Sequence, residues 1–149
     1  MRRAACGVLL WIAACNPATT RPSFAPFPEA LHVILNAPPA RVTEEARTWL
    51  AANGPGIQHM NTRDAFLETA WYDATDSSAA PVRVKIRVWA DPDVTGKARV
   101  TVEAVYRPIE DPSRTARDLE LAAPKASAGE RLAQRLLKAL SEKLGMTPD

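Results

Sequence analysis

The chain predicts an α+β domain of two layers, an antiparallel sheet of about four strands with two helices on one face, in the order β-α-β-β-β-α. Three patterns in its 149 residues predict this. Val82, Val84, Ile86 and Val88 alternate with Arg83, Lys85, Arg87 and Trp89, the period of a strand with one apolar and one wet face. Ala98, Val100, Val102, Ala104 and Tyr106 repeat the scheme against Arg99, Thr101, Glu103, Val105 and Arg107. Two other stretches carry apolar residues at helical spacing, and such stripes must be buried against another layer.

Residues 30–35 contain Val33 and Ile34 and read as the first strand. Asn36 is placed to cap the helix that follows, with Pro38 or Pro39 in the first turn, where a missing N–H costs nothing. Val42, Ala46, Trp49 and Leu50 form its apolar face, and Glu44 and Glu45 suit a helix starting near Thr43. Gly54 fits the left-handed position after a helix, and Pro55 forbids continuation.

Residues 57–61 and 66–73 are extended pieces around Thr62-Arg63-Asp64-Ala65, forming either a hairpin or one strand bent at a bulge. Period two puts Leu67, Thr69 and Trp71 on one face and Phe66, Glu68, Ala70 and Tyr72 on the other. Residues 73–81 read as a loop. Asp91-Pro92-Asp93 and Gly96 supply turn chemistry between the two alternating strands. Matching their apolar faces leaves several registers. One sets Arg87 against Arg99, a like-charge pair. The register predicted instead sets Val88 opposite Val100, Lys85 opposite Glu103 and Arg99 opposite Trp89.

Residues 108–124 are polar and interrupted, with a short strand at 118–122. Ser127-Ala128-Gly129-Glu130 is a capping box opening the last helix. Leu132, Leu136, Leu137, Leu140 and Leu144 are its stripe, Gly145 its stop, and residues 146–149 a frayed tail.

The N-terminal stretch has a separate logic. Arg2 and Arg3 precede an apolar run, residues 4–14, that ends in Ile12-Ala13-Ala14-Cys15. A basic start, an apolar middle and small residues at the end form an export signal. The run is shorter than the ~20 residues that span a bilayer. The small-small-Cys ending resembles the lipobox of bacterial lipoproteins. That resemblance implies cleavage after Ala14, acylation of Cys15 and attachment to a membrane through it. Asn16, where Asp often marks inner-membrane retention, leans toward the outer membrane facing the periplasm. A plain secretory signal with Cys15 incidental is the competing reading. Residues 15–29, with Pro17, Pro22, Pro26 and Pro28, then read as an extended tether lifting a domain at 30–145 from the lipid. Phe24 and Phe27 are its exceptions, expected to dock on the host domain, or else on a partner.

Processing changes the charge. The formal net charge of +2 includes Arg2 and Arg3. Without them Lys+Arg falls from 19 to 17, against 17 Asp+Glu. A formally neutral chain argues against bulk attraction to nucleic acid. Cys6 leaves with the signal and Cys15 is acylated, so no disulfide is expected. His32 and His59 are the only histidines and lack ligand-like spacing, so no metal or other cofactor is expected. The serines show no Gly-x-Ser-x-Gly turn, and Asp91, Asp93 and Gly96 lack the full calcium-loop pattern. No catalytic residues are predicted, and the chain is read as a non-enzyme.

The wet face of the hairpin is the best candidate docking surface. Arg83, Lys85, Arg87, Trp89, Arg99 and Arg107 share it with Glu68, Glu103 and Tyr72. Exposed arginines with aromatics are typical interface anchors, and a solvated face of ion pairs is the plainer alternative.

The lipobox, the tether, a helix ended by glycine, then Leu67-x-Thr69-x-Trp71, a basic hairpin and a closing helix resemble the domains of BamC. BamC is a lipoprotein of the outer-membrane β-barrel assembly machinery with helix-grip domains, and the likeness covers residues 30–145. It implies an envelope-assembly partner and an accessory or scaffold role. The architecture is also similar to LptE, a lipopolysaccharide-assembly lipoprotein, which implies a lipid or glycan ligand instead.

Overall fold

The computed structural model describes residues 21–75, 81–94, 96–107, 113–115 and 117–146. The signal, Cys6, Cys15, Asn16, Pro17 and residues 147–149 lie outside them, as do residues 76–80 of the expected loop at 73–81. The chain is α+β. Its strands are β1 (Leu31–Leu35), β2 (Ile57–Asn61), β3 (Phe66–Thr69), β4 (Tyr72–Thr75), β5 (Pro81–Pro92), β6 (Ala98–Arg107) and β7 (Leu121–Ala122). The helices are α1 (Pro39–Asn53) and α2 (Ala128–Leu144).

Seven antiparallel strands, not about four, form one sheet among the described residues, in the order β1-β6-β5-β3-β2. The two off that path extend existing positions: β4 follows β3 along one edge of β5, and β7 pairs with β6 beyond β1. The break between β3 and β4 has a local cause. Glu68 pairs with Arg87 and Tyr72 with Val84, so three residues (69–71) oppose two (85–86). This is a bulge of one extra residue. The Thr69 hydroxyl accepts the Ile86 N–H at 3.0 Å there. The expected alternation fails past Thr69 for this reason. Trp71 lies with Phe66 and Glu68, while Tyr72 turns to the helix layer.

The β5–β6 register also differs from expectation. It is shifted two residues further, setting Arg87 opposite Glu103, Asp91 opposite Arg99, Val88 opposite Val102 and Trp89 opposite Thr101. This keeps the apolar faces matched and makes two opposite-charge pairs. Within that connection the Lys97 N–H donates to the Val94 carbonyl at 2.9 Å, with Gly96 at φ +79°.

Both helices cover one face. Val42, Ala46 and Leu50 of α1 and Leu132, Leu136 and Leu140 of α2 meet Ile86, Val88, Val100 and Val102 in the main core. Pro39 opens α1, but Asn36 does not cap it: the residue before the helix is Pro38. The Asn36 N–H instead donates to the Gly145 carbonyl at 3.0 Å, joining the end of β1 to the end of α2. Gly54 is extended (φ −135°, ψ −167°), not left-handed. Pro55 explains this, since the residue before proline is pushed out of helical geometry. At α2 the Ser127 hydroxyl accepts the Glu130 N–H at 3.2 Å. The Glu130 carboxylate takes the Ala126 N–H, because the Ser127 N–H is already donated to Pro124. The capping box is thus shifted by one residue on its return arm. Gly145 ends α2 at φ +77° as expected.

Candidate functional site

The sheet face opposite the helices carries the cations of β5, and it is not a solvated surface. Lys85, Arg87 and Trp89 are 6%, 4% and 2% exposed. This corrects the expected docking surface. Two segments from far along the chain cover the middle of the face: residues 21–29, and the turn Arg117–Leu119 leading through Glu120 into β7. Arg83 and Arg99 stay exposed near the two ends of the hairpin, and Arg107 is half-buried. Trp89 stacks obliquely on Phe66, with ring centres 5.3 Å apart, and meets Thr101 across the strands instead of Arg99.

Charge explains why a cover is required. A buried guanidinium is costly unless its donors are paired. Arg87 reaches three carboxylates. Its Nη1 and Nη2 each donate to Glu120 at 2.7 Å, its Nε to Glu68 at 3.1 Å, and Nη1 also to Glu103 at 3.3 Å. Arg117 bridges Glu103 and Glu120, both at 3.2 Å. Lys85 pairs with Glu68 at 3.2 Å.

Residues 21–29 complete the cover. The Phe27 N–H donates to Glu103 at 2.7 Å, and Arg117 donates to the Ala25 carbonyl at 3.0 Å. The Arg117 guanidinium lies 4.3 Å from the Phe24 ring centre and 3.8 Å from that of Phe27. Arg87 sits 5.0 Å from Phe24. The two phenylalanines therefore dock on the host domain. Part of the stretch expected to be a free tether is a structural strap.

Ionisation follows the geometry. Burial alone would raise the Glu120 carboxyl, but the hydrogen bonds and charges of Arg87 and Arg117 overcome this and hold it below its ordinary value. Burial alone would lower Arg87, and the surrounding carboxylates more than offset it, leaving the guanidinium above its ordinary value. Lys85 is lowered because burial outweighs the help from Glu68.

Beside this network lies an open recess of about 490 Å³, with Phe24, His59, Trp71, Lys85 and Arg107 in its lining. Lys85 and Arg107 stand 5.0 and 4.9 Å from the Trp71 ring centre. Arg107 has no carboxylate partner among the described residues, and its Nε is buried without a hydrogen bond, as is His59 Nε2. Glu68, Arg87 and Glu120 line it too, so Arg107 is the cation of this recess that no carboxylate among the described residues neutralises. No cluster of potential metal ligands occurs among the described residues.

Of the six residues singled out from sequence, Lys85 and Arg87 join the network, Arg107 lines the recess, Trp89 is buried on Phe66, and Arg83 and Arg99 stay exposed. Arg117 and Glu120 escaped that reading, while Phe24 docks on the domain as expected. The available signal was an imbalance: the strand face carries more cations than its own strands can neutralise. No helix among the described residues is long and apolar enough to cross a membrane. Comparison of the chain with protein-family models and with curated proteins finds no match.

Proposed function

We propose that the protein is a lipid-anchored envelope protein, acylated at Cys15 after loss of residues 1–14 and held at the outer membrane on its periplasmic side. In this reading it acts without catalysis, as an accessory or scaffold in outer-membrane protein assembly. The observation that carries it is the placement of Ile12-Ala13-Ala14-Cys15 just ahead of a segment that fastens to the domain. A signal cut at Cys15 leaves the strap whole. The BamC-like order of elements supports the scaffold role, and Arg83 and Arg99 are the two cations of the expected docking surface that lie exposed on the hairpin.

Metabolic labelling with a fatty-acid precursor tests the anchor: label enters the wild type and is lost in Cys15→Ala. Equal labelling of both removes the reading. Pull-down from solubilised envelopes tests the role, comparing wild type with Arg83→Glu plus Arg99→Glu. Loss of β-barrel assembly components from the variant alone supports the scaffold.

A second reading has its own observation. Arg107, which has no carboxylate partner among the described residues, with Lys85 and Trp71 beside it, suits the phosphate of an anionic glycolipid. Titration of the detergent-solubilised protein with lipid A checks it. Arg107→Gln is expected to weaken binding about tenfold, the worth of one charge-assisted contact. Equal binding by the variant removes this reading.

A further inference from the structure

We infer that the end of the domain bearing the β5–β6 turn lies against the lipid leaflet that holds the anchor, with Val94 and Met146 in contact with it. This rests on acylation at Cys15. The strap changes what the tether can do. Arg21 is already fixed to the domain: it donates to the Asp91 carboxylate at 2.6 Å and to the Asp64 carbonyl at 3.3 Å. From Cys15 to Arg21 the chain has only six residue steps. At roughly 3.3–3.6 Å each, it reaches about 20 Å when fully stretched. The twelve residues of β5 span about 40 Å. The Arg21 end therefore stays within about 20 Å of the anchor, half the length of β5, and is the end held nearest to the headgroups.

That end is built differently from the rest of the surface. Topology collects there the β2–β3 turn, the β5–β6 turn, the start of α1 and the end of α2. Met146 reaches it through its bridge to Leu35, which itself pairs with Ala98. The large hydrophobic side chains left exposed among the described residues are Val94 (58%), Met146 (57%) and Leu121 (49%). Two of the three project from this end, and Leu121 lies beside Tyr106 toward the other. Arg41, Arg63 and Lys97 surround it and form no ion pair among the described residues. The acids at this end are engaged: Asp93 by Arg99 at 3.5 Å, Asp91 by Arg21 at 2.6 Å and Asp64 by Asn61 at 2.8 Å. Apolar tips ringed by unpaired cations match a surface of anionic headgroups over acyl chains.

The lipidated protein is reconstituted in vesicles of phosphatidylethanolamine and phosphatidylglycerol carrying a spin-labelled lipid. A single fluorophore is attached at Val94→Cys, or at Ala52→Cys near the far end of α1. Both positions are exposed, so neither variant threatens folding. With Cys6 removed and Cys15 acylated, the new cysteine is the only free thiol. The expected result is blue-shifted emission and strong quenching at position 94, with neither at position 52. Equal, weak quenching at both positions, with acylation confirmed by mass, overturns the membrane-facing end and leaves the anchor standing. A second free thiol, or no vesicle binding, overturns both together.

Discussion

Arg87 and Glu120 form a two-pronged pair, Nη1 to Oε2 and Nη2 to Oε1 both at 2.7 Å, on a sheet face where each is at most 4% exposed. The two residues are 33 positions apart. This pair holds the 117–122 segment onto the hairpin, and Arg117 in turn holds the strap. Removing one partner leaves a buried charge unpaired. Glu120→Ala is therefore expected to cost about 3–5 kcal/mol, while joint replacement of Arg87 by Met and Glu120 by Leu costs much less. Urea denaturation of the three proteins measures this, and equal losses in both variants would show that the pair is not the source.

The same carboxylate sets the acid limit. The folded-state pKa of Glu120 lies below its unfolded value, so the unfolded chain takes up the proton first as pH falls. Its contribution is present above the ordinary glutamate value of about 4.3 and is lost as pH drops through the folded value. Stability measured from pH 7 to 2 is expected to decline more gently in Glu120→Gln than in the wild type, from a lower start.

The strap is expected to contribute to folding as well as position. Phe24 and Phe27 are half-buried against Arg87 and Arg117. Replacing both with alanine is expected to cost about 1–3 kcal/mol, from lost apolar burial and cation–π contact. The variant is also expected to bind a hydrophobic dye through the uncovered Phe66 and Trp89. Unchanged stability and no dye binding would show that residues 21–29 rest on the sheet without holding it.

Tyr72 governs the alkaline side. Burial pushes its phenol up to about 12, with Arg135 opposing. A raised folded pKa means full stability below the unfolded value of about 10, lost as pH rises from there through the folded value. Its hydroxyl is buried without a hydrogen-bond partner among the described residues. Tyr72→Phe is expected to gain about 1 kcal/mol at pH 7 and to flatten the decline between about pH 10 and 12. Thermal melts across that range test both effects.

At Gly129 α2 packs tightly against the sheet. A Cβ there would stand 2.8 Å from Val84 Cγ1, with Ala123 and Ala104 at 3.4 and 3.5 Å. Helix propensity alone favours alanine by about 1 kcal/mol. Val84 is β-branched in a central strand and has little freedom to yield. Gly129→Ala is therefore expected to lose about 1–2 kcal/mol net. Adding Val84→Ala is expected to give a combined loss smaller than the sum of the single losses, which denaturation of all four proteins would show.

The helix-facing half of the domain was legible in the residues themselves. Alternation along residues 82–88 and 98–104, the leucine stripe of α2 and the Ser127 cap are local patterns, and each residue's periodicity names the face it buries. The opposite face was not legible, because alternation says which side chains share a face and nothing of what covers it. That depends on contacts such as Phe27 to Glu103 and Arg87 to Glu120, between residues 76 and 33 positions apart. Register escaped for a related reason. Registers two residues apart match the same apolar faces, and only the assembled hairpin, with Asp91 set against Arg99 and Arg87 against Glu103, separates them. The bulge at Ala70–Trp71 reversed the side of one aromatic pair, a step visible only when β3 and β4 are laid along β5. Sequence by itself determined the α+β class, the two helices and the apolar core, because short-range periodicity encodes them. Tertiary structure alone decided that the charged face is interior, because burying an arginine requires carboxylates and a cover that come from distant parts of the chain.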